Sequence, residues 1–229
     1  MKMKFGAIVT DGRGKIGGHV ASKNRAGAYL RTKVTPVNPR FPDQTVVRNR
    51  LGGLAQAWRG LTEAQRASWN AAVGAFAKTD IFGDLKNPTG FNLYQQINNN
   101  LIRIGETALD TPPSPVAVVD IIIGALSVAA AAGTASLAYT AGADATSMIE
   151  VAATAPISAG VSFVKSEYRL IGSFLANALS PYDLATEYVA KFGSLAGQSG
   201  KKIFVRTKAI SVATGIAGTP QSTSAIIAA

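Results

Sequence analysis

The residues with most chemical promise are Gly12-Arg13-Gly14-Lys15-Ile16-Gly17, which match G-x-G-x-x-G. Glycines at that spacing let a backbone curl around phosphate oxygens. The fold that does so needs a helix opening at the turn and an acidic residue about 20 positions on. Nothing acidic occurs between Asp11 and Asp43, and the stretch between them is basic and studded with proline. The related phosphate loop needs Ser or Thr after its lysine, and Ile16 follows Lys15. Gly12, Gly14, Gly17 and the adjoining Gly18 are therefore expected to serve tight turns and close chain packing. The chain has no cysteine, which excludes disulfides, thiolate zinc sites, iron–sulfur ligation and cysteine nucleophiles. Its one histidine, His19, reads as a structural or surface residue and argues against histidine-based metal centres and Ser-His-Asp catalysis. The 13 carboxylates are scattered without a suggestive pair. There is no Gly-x-Ser-x-Gly elbow, and no acid, base and nucleophile set can be assembled. The expectation is a protein that is not an enzyme and has no catalytic, cofactor-binding or metal-binding residues.

What remains is charge. The chain has 23 Lys and Arg against 13 Asp and Glu, a formal +10 over 229 residues. Residues 1–68 hold 13 cations and 3 carboxylates, residues 69–106 hold three of each sign, and residues 107–229 hold seven of each. A block this polarised reads as an arm or face that meets something anionic: nucleic acid, an acidic protein surface or a membrane surface. A solubilising face with no partner is the simpler alternative. The candidate contacts to an assembly partner or polyanion are Arg13, Lys15, Lys23, Arg25, Arg31, Lys33, Arg40, Arg48 and Arg50. Cations of this kind supply most affinity for nucleic acid. Stacking groups among them are limited to Tyr29 and Phe41, and no helix-turn-helix, zinc finger or RNA-binding sheet signature is present. Nucleic-acid binding through residues 1–68 would therefore be independent of sequence.

The elements that carry these residues fall into zones. Residues 1–42 form a basic arm rich in glycine and proline. It has a short strand over Phe5–Thr10 and a pair of strands over Ile16–Ala21 and Ala28–Val34, joined by a loop over Ser22–Gly27. Pro36, Pro39 and Pro42 then impose an extended run. With so few large apolar residues, the arm is expected to order against a partner or a neighbouring copy. Residues 43–110 read as a small three-helix unit. Asp43 is a plausible N-cap, and Val47, Leu51, Leu54 and Trp58 share a helical face. Gly52-Gly53 within that helix suggests a kink or close backbone approach. Thr62-Glu63-Ala64-Gln65 has the pattern of a capping box, followed by a stripe of Trp69, Val73 and Phe76. A loop containing Gly83, Pro88 and Gly90 leads to a third helix with Tyr94, Ile97, Leu101 and Ile104 on one face and Asn98, Asn99 and Asn100 on another. Both tryptophans read as core.

Residues 111–115, Thr-Pro-Pro-Ser-Pro, form a linker by composition. Residues 116–229 read as a β-sandwich of short strands separated by Gly/Pro/Ser/Thr turns. The best strands are Leu137–Tyr139, Ile149–Ala152, Glu167–Gly172 and Lys202–Ile210. In the last, Ile203, Val205 and Thr207 alternate with Phe204, Arg206 and Lys208, as a half-buried antiparallel strand requires. Tyr182–Phe192 fits a short helical insert, with Leu184, Tyr188 and Phe192 at four-residue spacing. Ala129–Ala132 and Thr219–Ser224 read as loops or thin edge strands. Val116–Ala132 is apolar apart from Asp120. It is shorter than the roughly 20 residues of a spanning helix and rich in β-branched residues, so it reads as buried strand. The opening Met1–Thr10 stretch is too short for a signal segment, and no membrane contact is expected.

Specific residues also carry a resemblance. Gly14-Lys15-Ile16-Gly17-Gly18, Asn24-Arg25-Ala26-Gly27-Ala28-Tyr29-Leu30-Arg31, Val37-Asn38-Pro39-Arg40 and Val47-Arg48-Asn49-Arg50 resemble the opening of uncharacterised proteins of tailed bacteriophages and prophages. The likeness continues through Ala57-Trp58-Arg59-Gly60-Leu61-Thr62, Gln65-Arg66-Ala67-Ser68-Trp69-Asn70 and Gly90-Phe91-Asn92-Leu93-Tyr94, covering about the first hundred residues. It implies a structural protein of the virion, made in the host cytoplasm, whose partners are copies of itself and other virion proteins. No catalytic residues come with it. Lys202–Ile210 and the following Gly-Thr-Pro turn resemble the late strands of fibronectin type III domains, although the Tyr182–Phe192 helix departs from that pattern. The combined expectation is an α+β, multi-domain chain: a basic β-rich arm, a three-helix unit and an immunoglobulin- or fibronectin-like sandwich. Two functions follow: a virion subunit (capsid-associated, head–tail connector or tail) that assembles through the arm, or a sequence-independent nucleic-acid-binding accessory protein. Neither has a small-molecule substrate.

Overall fold

The computed structural model describes residues 1–4, 6, 11–35, 37–38, 40–118, 122–140 and 146–229. The chain is α+β and divides into two compact units, Met1–Leu93 and Tyr94–Ala229. The expected strand over Phe5–Thr10 and the prolines Pro36 and Pro39 lie outside the described residues, Gly6 apart.

In the first unit, β1 (Lys2–Met3), β2 (Gly14–Ile16), β3 (His19–Asn24) and β4 (Gly27–Thr32) form an antiparallel sheet in the order β1-β4-β3-β2. The expected strand over Ala28–Val34 corresponds to β4, but the one over Ile16–Ala21 is broken by a turn at Gly17-Gly18, and β3 runs on through Asn24 into the expected loop. β3 and β4 are joined by Arg25-Ala26 alone, where the Asn24 side-chain oxygen accepts from the Ala26 amide at 2.9 Å. An asparagine that mimics a backbone turn allows this economy. Gly17-Gly18 turns β2 into β3, and Gly17 takes φ +57°.

Helix α1 (Pro42–Gly60) starts one residue before the expected Asp43 cap. Phe41 is the N-cap, Pro42 fills the first turn and Asp43 lies within it. Proline is pre-shaped for that position and an acid there suits the helix dipole. Helix α2 (Glu63–Ala72) begins with the expected capping box. Thr62 Oγ1 accepts from the Gln65 amide at 3.2 Å, and Gln65 Oε1 accepts from the Thr62 amide at 2.8 Å. A 3-10 turn (Val73–Phe76) follows. Within the segment expected to be loop, β5 (Lys78–Thr79) and β6 (Leu85–Lys86) form a small hairpin. Trp69 is fully buried, whereas Trp58 is half-buried with its ring edge-on to Phe91 at 5.6 Å.

Helix α3 (Gly90–Arg103) runs across the division, and its apolar face, Tyr94, Ile97, Leu101 and the adjoining Ile104, is buried. Among its described residues the second unit contains seven further strands and a helix: β7 (Ile123–Ala129), β8 (Thr134–Tyr139), β9 (Ser147–Ala153), β10 (Arg169–Leu175), β11 (Tyr182–Asp183), α4 (Ala185–Phe192), β12 (Lys202–Ser211) and β13 (Gln221–Ile226). They pair antiparallel in two sheets, β10-β9-β12-β13 and β11-β8-β7. One hydrophobic cluster draws on both sheets, including Val128 and Leu137 from one and Ile149, Val151, Ile203 and Val205 from the other. Leu184 and Tyr188 of the short helical segment join it. Thr219–Ser224 largely becomes edge strand β13, and the 111–115 segment is irregular chain within the second unit.

The asparagine face of α3 is not a solvent face. Asn98 is buried and holds both the amide and the carbonyl of Leu109, at 2.6 and 3.1 Å. Asn100 donates to the Gly215 carbonyl at 2.9 Å. Satisfying these backbone groups ties α3 to the chain that follows it and to the turn after β12.

Candidate polyanion and assembly face

Period-two alternation in the first sheet distributes the candidate cations. Lys15 pairs with Val20, Val20 with Arg31, and Lys2 with Tyr29, so Lys2, Lys15 and Arg31 share a face. Lys23 pairs with Ala28 and points to the opposite face. Arg25 occupies the tight turn, and Lys33 follows β4. Arg40 stands just before α1 with φ +53°, the left-handed region that non-glycine residues rarely adopt. Arg13 lies ahead of β2, and Arg48 and Arg50 lie on α1.

Their electrostatic settings differ. Asp11 holds Arg13 at 3.6 Å and Lys23 at 3.8 Å. Arg48 donates to the Asn38 side chain at 2.5 Å, and Arg50 is half-buried. Lys15, Arg25, Arg31, Lys33 and Arg40 are exposed and form no ion pair among the described residues. Exposed ion pairs contribute little and are screened by salt, so the second set holds the charge most available to a partner. The structure does not gather the nine candidates into one site; it spreads them over both sheet faces, a turn and a helix.

Two carboxylates missed by the sequence reading neutralise the chain's first cations. Lys2 pairs with Asp80 at 3.6 Å and Lys4 with Asp84 at 2.8 Å. Asp80 also accepts from the Phe82 and Asp84 amides, at 2.8 and 3.1 Å. Burial alone would raise the Asp80 pKa, but those amides, with Lys2 and Lys86, hold it below the usual carboxylate value. No local signal marks a pairing between residues so distant in sequence.

The G-x-G-x-x-G segment runs strand–turn–strand. Its loop closes a β-hairpin and no helix opens there, so it lacks the helix terminus that would face a phosphate. Turn formation explains Gly17, but a Cβ at Gly14, Gly17 or Gly18 would meet nothing within 4 Å. At Gly14, Gly17 and Gly18 the expected close packing is therefore not found among the described residues.

The first half of α1 also departs from expectation. From Pro42 to Gly53 every residue but Arg50 is exposed; Val46 is 59% and Val47 is 47% accessible. Of the expected apolar face only Leu54 is buried. Helical spacing identifies which residues share a face, but burial requires something to lie against it. No group of acidic or histidine residues that could hold a metal ion occurs among the described residues. Nor, among them, is any helix long and apolar enough to cross a membrane.

No family model, curated protein or solved structure matches the chain.

Proposed function

We propose that this chain is a structural subunit of a bacteriophage virion, associated with the capsid, the head–tail connector or the tail. It docks through its basic N-terminal region onto copies of itself and other virion proteins. The observation that carries this reading is the concentration of uncovered surface in the first unit. Five exposed cations without ion pairs among the described residues accompany the exposed strand β2 at a sheet edge and the open half of α1. An edge strand offers unpaired amides and carbonyls to an incoming strand, and an open helical face offers apolar area to the same partner. The resemblance of the first hundred residues to phage proteins supports the same assignment. In the second unit, two antiparallel sheets that share one hydrophobic cluster support an immunoglobulin- or fibronectin type III-like sandwich, with α4 as its insert. Light scattering and negative-stain microscopy of the full chain test the assembly role. Rings, tubes or other closed oligomers are expected, and Lys15→Pro, which removes the amide that β2 directs away from β3 together with one exposed cation, should weaken them. A monomer at every concentration would overturn it.

The unpaired cations also favour a second reading, a sequence-independent nucleic-acid-binding protein. It predicts duplex binding whose log affinity falls steeply with log salt. Absence of binding at low salt would remove it.

A further inference from the structure

Beyond the basic first unit, the second unit contains a local charge imbalance that its equal totals conceal. On β12, Ile203, Val205 and Ala209 belong to the hydrophobic cluster, so Arg206 and Lys208 project from the opposite face. Lys208 pairs across the sheet with Glu150 and Arg206 with Ala152, while Leu170 on β10 also pairs with Ala152. Arg103 reaches the same place from α3 and forms an ion pair with Glu150. Lys208 stands 3.6 Å from the other oxygen of Glu150. The Arg206 guanidinium lies 4.4 Å from the centre of the Tyr168 ring. These residues line a cavity of about 290 Å³, completed by Ala152, Leu170, Thr207 and Pro220.

Two cations, Arg103 and Lys208, thus meet one carboxylate, and the exposed Arg206 lines the same cavity with no ion pair among the described residues. Glu150 is nearly buried, its side chain 9% accessible, and its single charge cannot balance both cations. Burying unbalanced charge is costly unless an opposite charge is supplied. Burial, with the nearby Arg103 and Arg206, holds Lys208 below the usual lysine pKa despite Glu150. The stacked Arg206 keeps its N–H edges for an oxyanion while Tyr168 covers its face. The cavity is near the lower end of the size range for small-molecule sites, and Leu170, Pro220 and Tyr168 add carbon surface.

We infer that this cleft binds a small organic oxyanion, with a phosphate-like head on Arg206 and Lys208 and a carbon body against Tyr168, Leu170 and Pro220. Glu150 and Arg103 position Lys208 from behind. The inference is independent of the assembly role, because every residue in it belongs to the second unit.

Amide spectra of the full chain, titrated with phenyl phosphate, inorganic phosphate or benzyl alcohol, test it. Phenyl phosphate should give saturable shifts at Glu150, Thr207 and Lys208. Phenyl phosphate should bind more tightly than inorganic phosphate; equal binding would overturn the role of the carbon body. Arg206→Gln with Lys208→Gln should weaken binding about tenfold or more. Arg206→Gln alone, at an exposed position, should retain a dispersed folded spectrum and still weaken it. Non-saturating shifts, unchanged affinity in the variants, or equal binding of benzyl alcohol would each overturn the site.

Discussion

Gly215 shows how much one missing methyl group can matter. It sits at φ +65°, and a Cβ there would approach the Ile97 carbonyl oxygen to 2.7 Å and Leu101 Cγ to 2.8 Å. Gly215→Ala adds left-handed strain and overlap with α3, so a stability loss of about 2 kcal/mol or more is expected. Denaturant unfolding of the full chain measures it, and an unchanged midpoint would contradict the close approach. Asp80 makes a prediction about pH. Its folded pKa is depressed, so its contribution is complete above the unfolded carboxylate value and fades as pH falls through the folded value. The β5–β6 hairpin should therefore loosen in acid, below about pH 4. Asp80→Asn should remove that pH dependence at the Phe82 and Asp84 amides; persistence of the dependence in the variant would assign it to another group. The capping box at Thr62 was legible because all its parts lie within four residues. The Lys2–Asp80 pair and the approach of Gly215 to α3 were not, because their partners come from remote segments brought together by folding.

Among the elements, α1 separates what periodicity can report from what it cannot. Its existence was legible, as were the alternation of β12 and the short helix α4. The open first half was not, because burial depends on what another element covers. For the same reason Gly52 and Gly53 read as a kink or close approach. The helix passes through them without interruption, and a Cβ at either would meet nothing within 4 Å. Gly52→Ala and Gly53→Ala should each stabilise the helix by about 1 kcal/mol, measurable as a higher Tm by circular dichroism. A lowered Tm would mean that these positions are covered. The β5–β6 hairpin was hidden for another reason. Two-residue strands carry too little alternation to register, and Asp80 rather than an apolar pattern organises their turn.

For the whole molecule, the partition of charge follows the compact units. Met1–Leu93 holds 15 Lys and Arg against 5 Asp and Glu, while Tyr94–Ala229 holds eight of each. Retention on a cation exchanger should therefore depend on where charge is removed as well as how much. Replacing Lys15, Arg25 and Arg31 with glutamine should cause earlier elution than replacing Lys165, Arg169 and Lys201, although the net charge is the same. Equal elution would show that the basic residues do not act as a concentrated surface. The last strands of the second unit have a further consequence. Ile227 is part of its hydrophobic cluster, and the Ala228 amide donates to the Val128 carbonyl at 2.9 Å. That cluster cannot close until Ile227 has left the ribosome, whereas the last residue of the basic unit, Leu93, emerges well before it. At about 5–20 residues per second, the nascent chain displays its cationic surface for roughly ten seconds before the second core can form. An anionic molecule present during synthesis would thus meet these cations while the rest of the protein is still being made.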